Sequence, residues 1–282
     1  MSVRIIEGPV AHPTNRSYQE RGSIHDDATA QRLGFRGGTV AASTHLDAFP
    51  PVAICAYGER WFEDGCLSLY FRHATVDGEA VRAGLIVDDA GTAAASLVTP
   101  DGEVVADGTA SVGDHGDHSA LRTRNLRHDP AGLRILADVR QGDAIGPVTT
   151  DCSSRRQAER LHDGLVAAPI EWYHGMTPWG PCLAAPSTSM EMFTRVAAEF
   201  IGQRVTGAVA LWGAMELRHH GEPLMCDRQY SVQGTVVALG QTPKTEVLWY
   251  DLAAHDERGD LVATTRVLTR FAKASSSRYE AP

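Results

Sequence analysis

Residues 188–217 read TSMEMFTRVAAEFIGQRVTGAVALWGAMEL. Thr188-Ser189-Met190-Glu191 has the spacing of a capping box, in which side chains satisfy the free N–H groups at a helix start. Met190, Phe193, Val196, Ala197, Phe200 and Ile201 then fall on one helical face, and Gly202 is placed to terminate it. Beyond the glycine, Val209, Leu211, Gly213, Met215 and Leu217 alternate, which predicts a strand. Tyr230 to Ala238, Thr245 to Ala254 and Leu261 to Phe271 read as three more. The pattern is a long helix followed by a meander of strands that wraps it.

The first half repeats that order. Asp26 or Asp27 caps a short helix that Gly34 ends, and a second helical stretch runs from Thr39 to Phe49 until Pro50 and Pro51 break or restart it. Alternation around Leu67–Phe71, Val81–Val87 and Val104–Val112 predicts strands, separated by turns such as Asp77-Gly78 and Asp101-Gly102. VDGEAVRAGLIV (76–87) resembles HHGEPLMCDRQYSV (219–232), and PDGEVVADGTASV (100–112) resembles ERGDLVATTRVLT (257–269). Two copies of one α+β unit are therefore expected, spanning 1–130 and 131–282. The stretch Gly113–Gly132, without apolar period, reads as the linker. Residues 133–185 give no clear element.

Composition narrows the function. The 282 residues carry a formal charge of −9, with 43% hydrophobic and 22% charged, an ordinary globular balance. No apolar run approaches the ~18 residues of a membrane helix, and MSVRIIEGPV has no secretory core. With no block of Lys or Arg, nucleic acid is excluded as the main partner. Cysteines 55, 66, 152, 182 and 226 form neither a disulfide framework nor a zinc pair, which points to a reduced, cytoplasmic protein. HExxH, GxSxG, Walker-type and GxGxxG patterns are all missing. Asp114, His115, Asp117 and His118 read as solvated linker charge, so no metal and no cofactor is expected.

What remains is Glu20-Arg21-Gly22-Ser23-Ile24-His25-Asp26-Asp27, then Leu33-Gly34-Phe35. A turn through Gly22-Ser23 would set Glu20 beside His25, a pair suited to acid–base work. The plainer reading makes Glu20 a surface charge, His25 a turn residue and Asp27 a helix cap. His45, two residues before Asp47, either faces a site or is a boundary residue. The ring-rich stretch Glu171–Trp179, with Trp172, Tyr173, His174 and Trp179, either roofs an acyl pocket or packs as core.

SIHDDATAQRLGF (23–35) resembles the hydratase motif of the MaoC-like, or (R)-specific enoyl-CoA hydratase, family, Asp-x-Asn-Pro-Ile/Leu-His-x-Asp followed by a short helix and Gly-Phe. The resemblance implies a tandem (double) hot-dog fold, two antiparallel sheets each wrapping a long helix. It places His25 at the catalytic histidine and Glu20 at the catalytic aspartate, one methylene longer. Asp27, Gly34 and Phe35 match the motif's later positions. Gly22-Ser23 replaces Asn-Pro, the helix is one residue shorter, and Ala41-Ala42 stands where the family has His-Gly. The implied activity is hydration or dehydration of an acyl thioester on CoA or a carrier protein. Backbone amides of Thr39, Val40, Ala41 and Ala42 would hold the thioester oxygen. The second half lacks the pair, so one site per chain is expected. Association into a homodimer stays open. The altered motif also suits isomerisation, cyclisation, thioester hydrolysis, or acyl binding without catalysis.

Overall fold

In a computed structural model, which describes residues 3–280, the chain opens with strand β1 (Arg4–Ala11) and a short helix α1 (Asp27–Arg32). Asp26 caps α1, its carboxylate accepting from Thr29 N at 3.2 Å. The helical stretch after Thr39 comes in pieces: α2 (Ala42–Leu46), α3 (Pro50–Tyr57) and α4 (Arg60–Asp64). Pro50 and Pro51 restart the chain at the first turn of α3, where a missing N–H costs no helical bond. Strands β2 (Gly65–Phe71), β3 (Val81–Val87), β4 (Ala93–Val98) and β5 (Val104–Val112) complete this half.

The second half has the same order. Strand β6 (Ala144–Asp151) and helix α5 (Ser154–His162) are followed by a two-residue hairpin, β7 (Met176–Thr177) and β8 (Gly180–Pro181). Helix α6 (Pro186–Gly202) is the long buried helix, and β9 (Ala210–His219), β10 (Gln229–Gln241), β11 (Thr245–His255) and β12 (Leu261–Ala272) wrap it. Sequence periodicity had not shown β1, β4, β6 or α5.

The two half-sheets join edge to edge into one antiparallel sheet, β1-β3-β4-β5-β2-β9-β12-β11-β10-β6. The order reads the same from either end once each strand is replaced by its counterpart. The joint pairs β2 with β9, with Leu67 opposite Leu217 and Ser68 opposite Glu216. The helices lie on one face, where most of the core, including Phe49, Phe193, Leu69 and Met215, is inaccessible to water.

Two details correct the sequence reading. Helix α6 begins at Pro186 with Ala185 at the cap position and no capping side chain of its own, so 188–191 is not its start. The structural counterpart of Val76 is Met225, because Thr39 bridges Val76 as Leu183 bridges Met225. Gly78 then matches Asp227, both with positive φ, rather than the glycine of 219–232.

The linker crosses the outer face of the sheet as a strap. Leu121 packs with Ala214, Ala238, Trp249 and Leu268, and its N–H donates to Ser68 Oγ at 3.0 Å. Arg122 donates to buried Glu216 at 2.6 Å and to Asp251 at 2.9 Å. The short contact of Ser119 Oγ with Glu216 closes the network.

Candidate active site

Strands β2 and β9 stay paired only to Tyr70 and Ala214. Beyond that point the β2 chain leaves the sheet through Arg72–Thr75, while β9 has a bulge at Gly213 in its pairing with β12. The fork holds a cavity of about 640 Å³. The first half contributes Ile24, His25, Phe35, Thr39, Val40, Ala42 and His45; α6, β9 and β12 contribute Thr194, Ala197, Ile201, Trp212 and Arg270 among others. Both halves thus build one chamber, apolar on the α6 side and polar along the motif.

His25 is held from its backbone and its ring. Asn15 Nδ2 donates to its carbonyl at 2.9 Å. Its Nδ1 lies 2.7 Å from the carbonyl of Thr39, which only accepts, so Nδ1 carries the proton. With Nδ1–H committed, the imidazole form has its lone pair on Nε2, the arrangement of a base. Asp27 braces the same turn, accepting from Gly38 N at 2.7 Å; it is exposed and outside the cavity wall. Gly38 is packed so tightly that a Cβ there would meet the His25 carbonyl at 2.1 Å.

Glu20 is elsewhere. It is exposed, lies outside the cavity wall, and makes no hydrogen bond or ion pair with His25. The turn through Gly22-Ser23, with Gly22 at φ 81°, does not bring the two together. Among the described residues, no carboxylate lines this cavity. A second imidazole does. His45 is buried, its Nε2 2.9 Å from Thr75 Oγ1 and its Nδ1 without a partner. Burial pushes its pKa down to about 4, so it is neutral above that pH.

Thr39 N–H donates to Ile24 and Val40 N–H to Thr75, so neither amide is free for a ligand. The amides of Ala41, Ala42 and Ser43 have no partner, as expected at an uncapped helix start. The counterpart in α6 differs. There the Asp47 carboxylate reaches across from the first half and accepts from Ser187 N at 2.7 Å. Residues 41–49 (AASTHLDAF) and 185–193 (APSTSMEMF) are the same segment in the two copies. One helix start is therefore closed by a carboxylate, and the other is open beside the cavity.

The second copy's site is filled. Leu183 N donates to Trp172 as Thr39 N donates to Ile24, which puts Tyr173 at the place of His25. Gln157 holds the Tyr173 carbonyl at 2.7 Å, as Asn15 holds that of His25. Trp172 and Trp179 pack edge-on at 5.4 Å, with Phe62 at 5.4 and 5.8 Å from them. Trp179 Nε1 donates to Glu63 at 2.9 Å. The aromatic stretch thus does not roof the cavity: Trp172, Tyr173 and Trp179 pack at the opposite end of the joint, and His174 is exposed. Gly34 is likewise outside the wall, while Phe35 is in it.

No family model matches the sequence, and no curated protein matches it. Solved structures do match in three dimensions. A protein provisionally named a MaoC domain dehydratase, from Chloroflexus aurantiacus, superposes with a TM-score of 0.63 at 11% identity, over 96% of this chain and 95% of its own. A conserved hypothetical protein from Mycobacterium tuberculosis, described as a double hotdog fold, gives 0.61 at 11% identity, over 96% of each chain. A MaoC-like dehydratase gives 0.52 at 14% identity, over 96% of this chain and 98% of its own. Among the described residues no helix is long and apolar enough to cross a membrane. The chain is a double hot-dog protein, sharing the fold of these structures.

Proposed function

We propose that this chain hydrates an enoyl thioester, or dehydrates the corresponding hydroxyacyl thioester, with His25 as the single acid–base group. The observation that carries the reading is the His25 ring in the cavity wall, its Nδ1–H committed to Thr39 and its Nε2 left as the base. Nε2 takes a proton from water as the oxygen bonds to Cβ. The electron pair of the double bond moves toward the thioester oxygen, where the free amide of Ala42, in the cavity wall, receives the charge; Ala41 lies outside that wall. The proton on Nε2 passes to Cα, and the atoms balance without a second base. Neutral His45 lines the same chamber and holds the Thr75 hydroxyl through Nε2. In this reading residues 1–130 form the domain that supplies the chemistry, and residues 131–282 form the domain that supplies the acyl wall. CoA or a carrier protein would present the substrate.

Glu20 belongs to the motif resemblance but not to this geometry, and the pair of variants separates the two. With crotonyl-CoA as probe, His25→Gln is expected to lose at least about a hundredfold in kcat. Glu20→Gln is expected to stay within about threefold of wild type. Equal collapse of both would restore the Glu20–His25 pair. Unchanged turnover in His25→Gln, or thiol release without loss of the double bond, would sink the hydratase reading.

A further inference from the structure

The outer end of the cavity is ringed by guanidinium groups. Tyr70, on β2 at the fork, has Arg72 over its ring at 4.5 Å, Arg124 at 4.9 Å and Arg270 at 5.6 Å to the centroid. Arg72 follows β2, Arg124 sits on the strap and Arg270 on β12. Arg270 also touches the Tyr70 hydroxyl. Tyr70, Arg72 and Arg270 line the cavity, and Arg124 closes on them from the strap.

Most charges at this rim are already matched. Arg72 is paired with Asp107 at 2.7 Å, Arg36 with Glu79 at 2.6 Å, and His73 with Glu103 at 2.8 Å. Arg270 and Arg124 have no carboxylate partner among the described residues. Two uncompensated cations therefore share one tyrosine ring, in a chain of net charge −9. Arg270 is half-buried, so its charge has lost water without gaining a counter-ion. An oxyanion seated between them would restore the balance and accept charge-assisted hydrogen bonds from both forks.

We propose that Arg270 and Arg124, with Tyr70 between them, form an anion subsite for an oxyanion carried by the thioester ligand. The source is either a phosphate of the carrier arm or a carboxylate on the acyl group. The strap between the halves is then part of the ligand site as well as a connector. The inference rests on the thioester reading of the cavity, but its test needs no turnover.

Calorimetric titration of the intact protein with four probes gives the result. 4′-Phosphopantetheine against pantetheine isolates the phosphate; S-glutarylpantetheine against S-butyrylpantetheine isolates the acyl carboxylate. Wild type is expected to favour the anionic member of one pair by about tenfold or more, falling with added salt. Arg124→Gln and Arg270→Gln together should erase that preference, while Arg127→Gln, which removes one charge at an exposed point of the strap, should not. Arg270→Lys keeps the charge and should retain part of the preference, which guards against a folding defect. Loss confined to the phosphopantetheine pair assigns the phosphate, and loss confined to the acyl pair assigns the carboxylate. The proposal is overturned if neither pair differs in wild type, or if the preference survives the double variant. A chain that binds the anion through these arginines yet hydrates no enoyl thioester leaves the subsite standing and removes only the hydratase reading.

Discussion

Asp47 makes the most exposed quantitative prediction of the fold. Its carboxylate is inaccessible to water, accepts from Ser187 N at 2.7 Å through Oδ1, and has no partner on Oδ2. Burial raises its pKa from the ordinary 3.8 to about 6; the Arg160 charge and the Ser187 bond oppose the rise without cancelling it. The folded state therefore holds this proton more tightly than the unfolded chain does. Stability from Asp47 is fully present below pH 4, falls as pH rises through about 6, and is gone above that, the reverse of a salt-bridged aspartate. The interval from 3.8 to about 6 corresponds to ~3 kcal/mol, at about 1.4 kcal/mol per pKa unit.

Asp47→Asn keeps an acceptor for Ser187 N and never ionises. It should be more stable than wild type at pH 8 by up to ~3 kcal/mol, with the difference shrinking toward zero at pH 4. Asp47→Ala removes the acceptor and should be less stable than Asp47→Asn at every pH, by ~1–2 kcal/mol for the lost cap. Urea unfolding of all three at half-unit steps from pH 4 to 8 gives the difference curves, in which the other titrating groups cancel. An Asp47→Asn variant less stable than wild type at pH 8, or a gap that does not narrow toward acid, refutes the argument.

Gly38→Ala should cost ~1–3 kcal/mol in chemical denaturation and depress turnover as well, because its Cβ would drive against the His25 carbonyl. Unaltered turnover would mean that His25 can move without consequence. Glu216→Ala should destabilise by ~3 kcal/mol or more, since it strips a buried acceptor from Arg122 and Ser119. A double-mutant cycle with Arg122→Ala reads the coupling, and additivity would show that the strap is not held there. Trp179→Leu should lower stability by ~2 kcal/mol yet leave kcat/KM within about twofold; a tenfold loss would place the aromatic cluster on the substrate.

The helices and strands with clean periodicity were legible: α6, β2, β3, β5 and the four strands that follow α6. Strand β1 and helix α5 were missed because their burial pattern is broken or polar. Strand β1 sits at a sheet edge and exposes Ile5 and Val10, with Val3 exposed just before it, so its pattern has no consistent inner face. Helix α5 is strongly polar; it buries Gln157 fully, a residue no hydrophobic pattern would select, and lays only half-buried Leu161 beside it against the core. The site was half legible. His25 and His45 were chosen from composition and motif, and both line the cavity. Tyr70, Arg72 and Arg270 were not chosen, because they gather at a fork between strands far apart in the chain. Glu20 was read from spacing and motif position, and a turn at Gly22 is enough to send a side chain five residues away outward.

The repeated segment, AASTHLDAF against APSTSMEMF, explains why a symmetric fold keeps one cavity. Two similar helix starts face the joint. In the first copy Asp47 is short and reaches Ser187 N of the second, which closes the start of α6. In the second copy the matching residue is Glu191, which turns to Arg156 at 2.6 Å and Arg160 at 3.1 Å and leaves Ser43 N uncapped. The bulky rings follow the same division. Ile24 is small enough to leave space beside His25, whereas Trp172 fills the space beside Tyr173. The uncapped helix start of α2 therefore lies at the end that also has room for a ligand. Asp47→Asn and Trp179→Leu alter the closed end alone, so each should change stability while the open end keeps its chemistry.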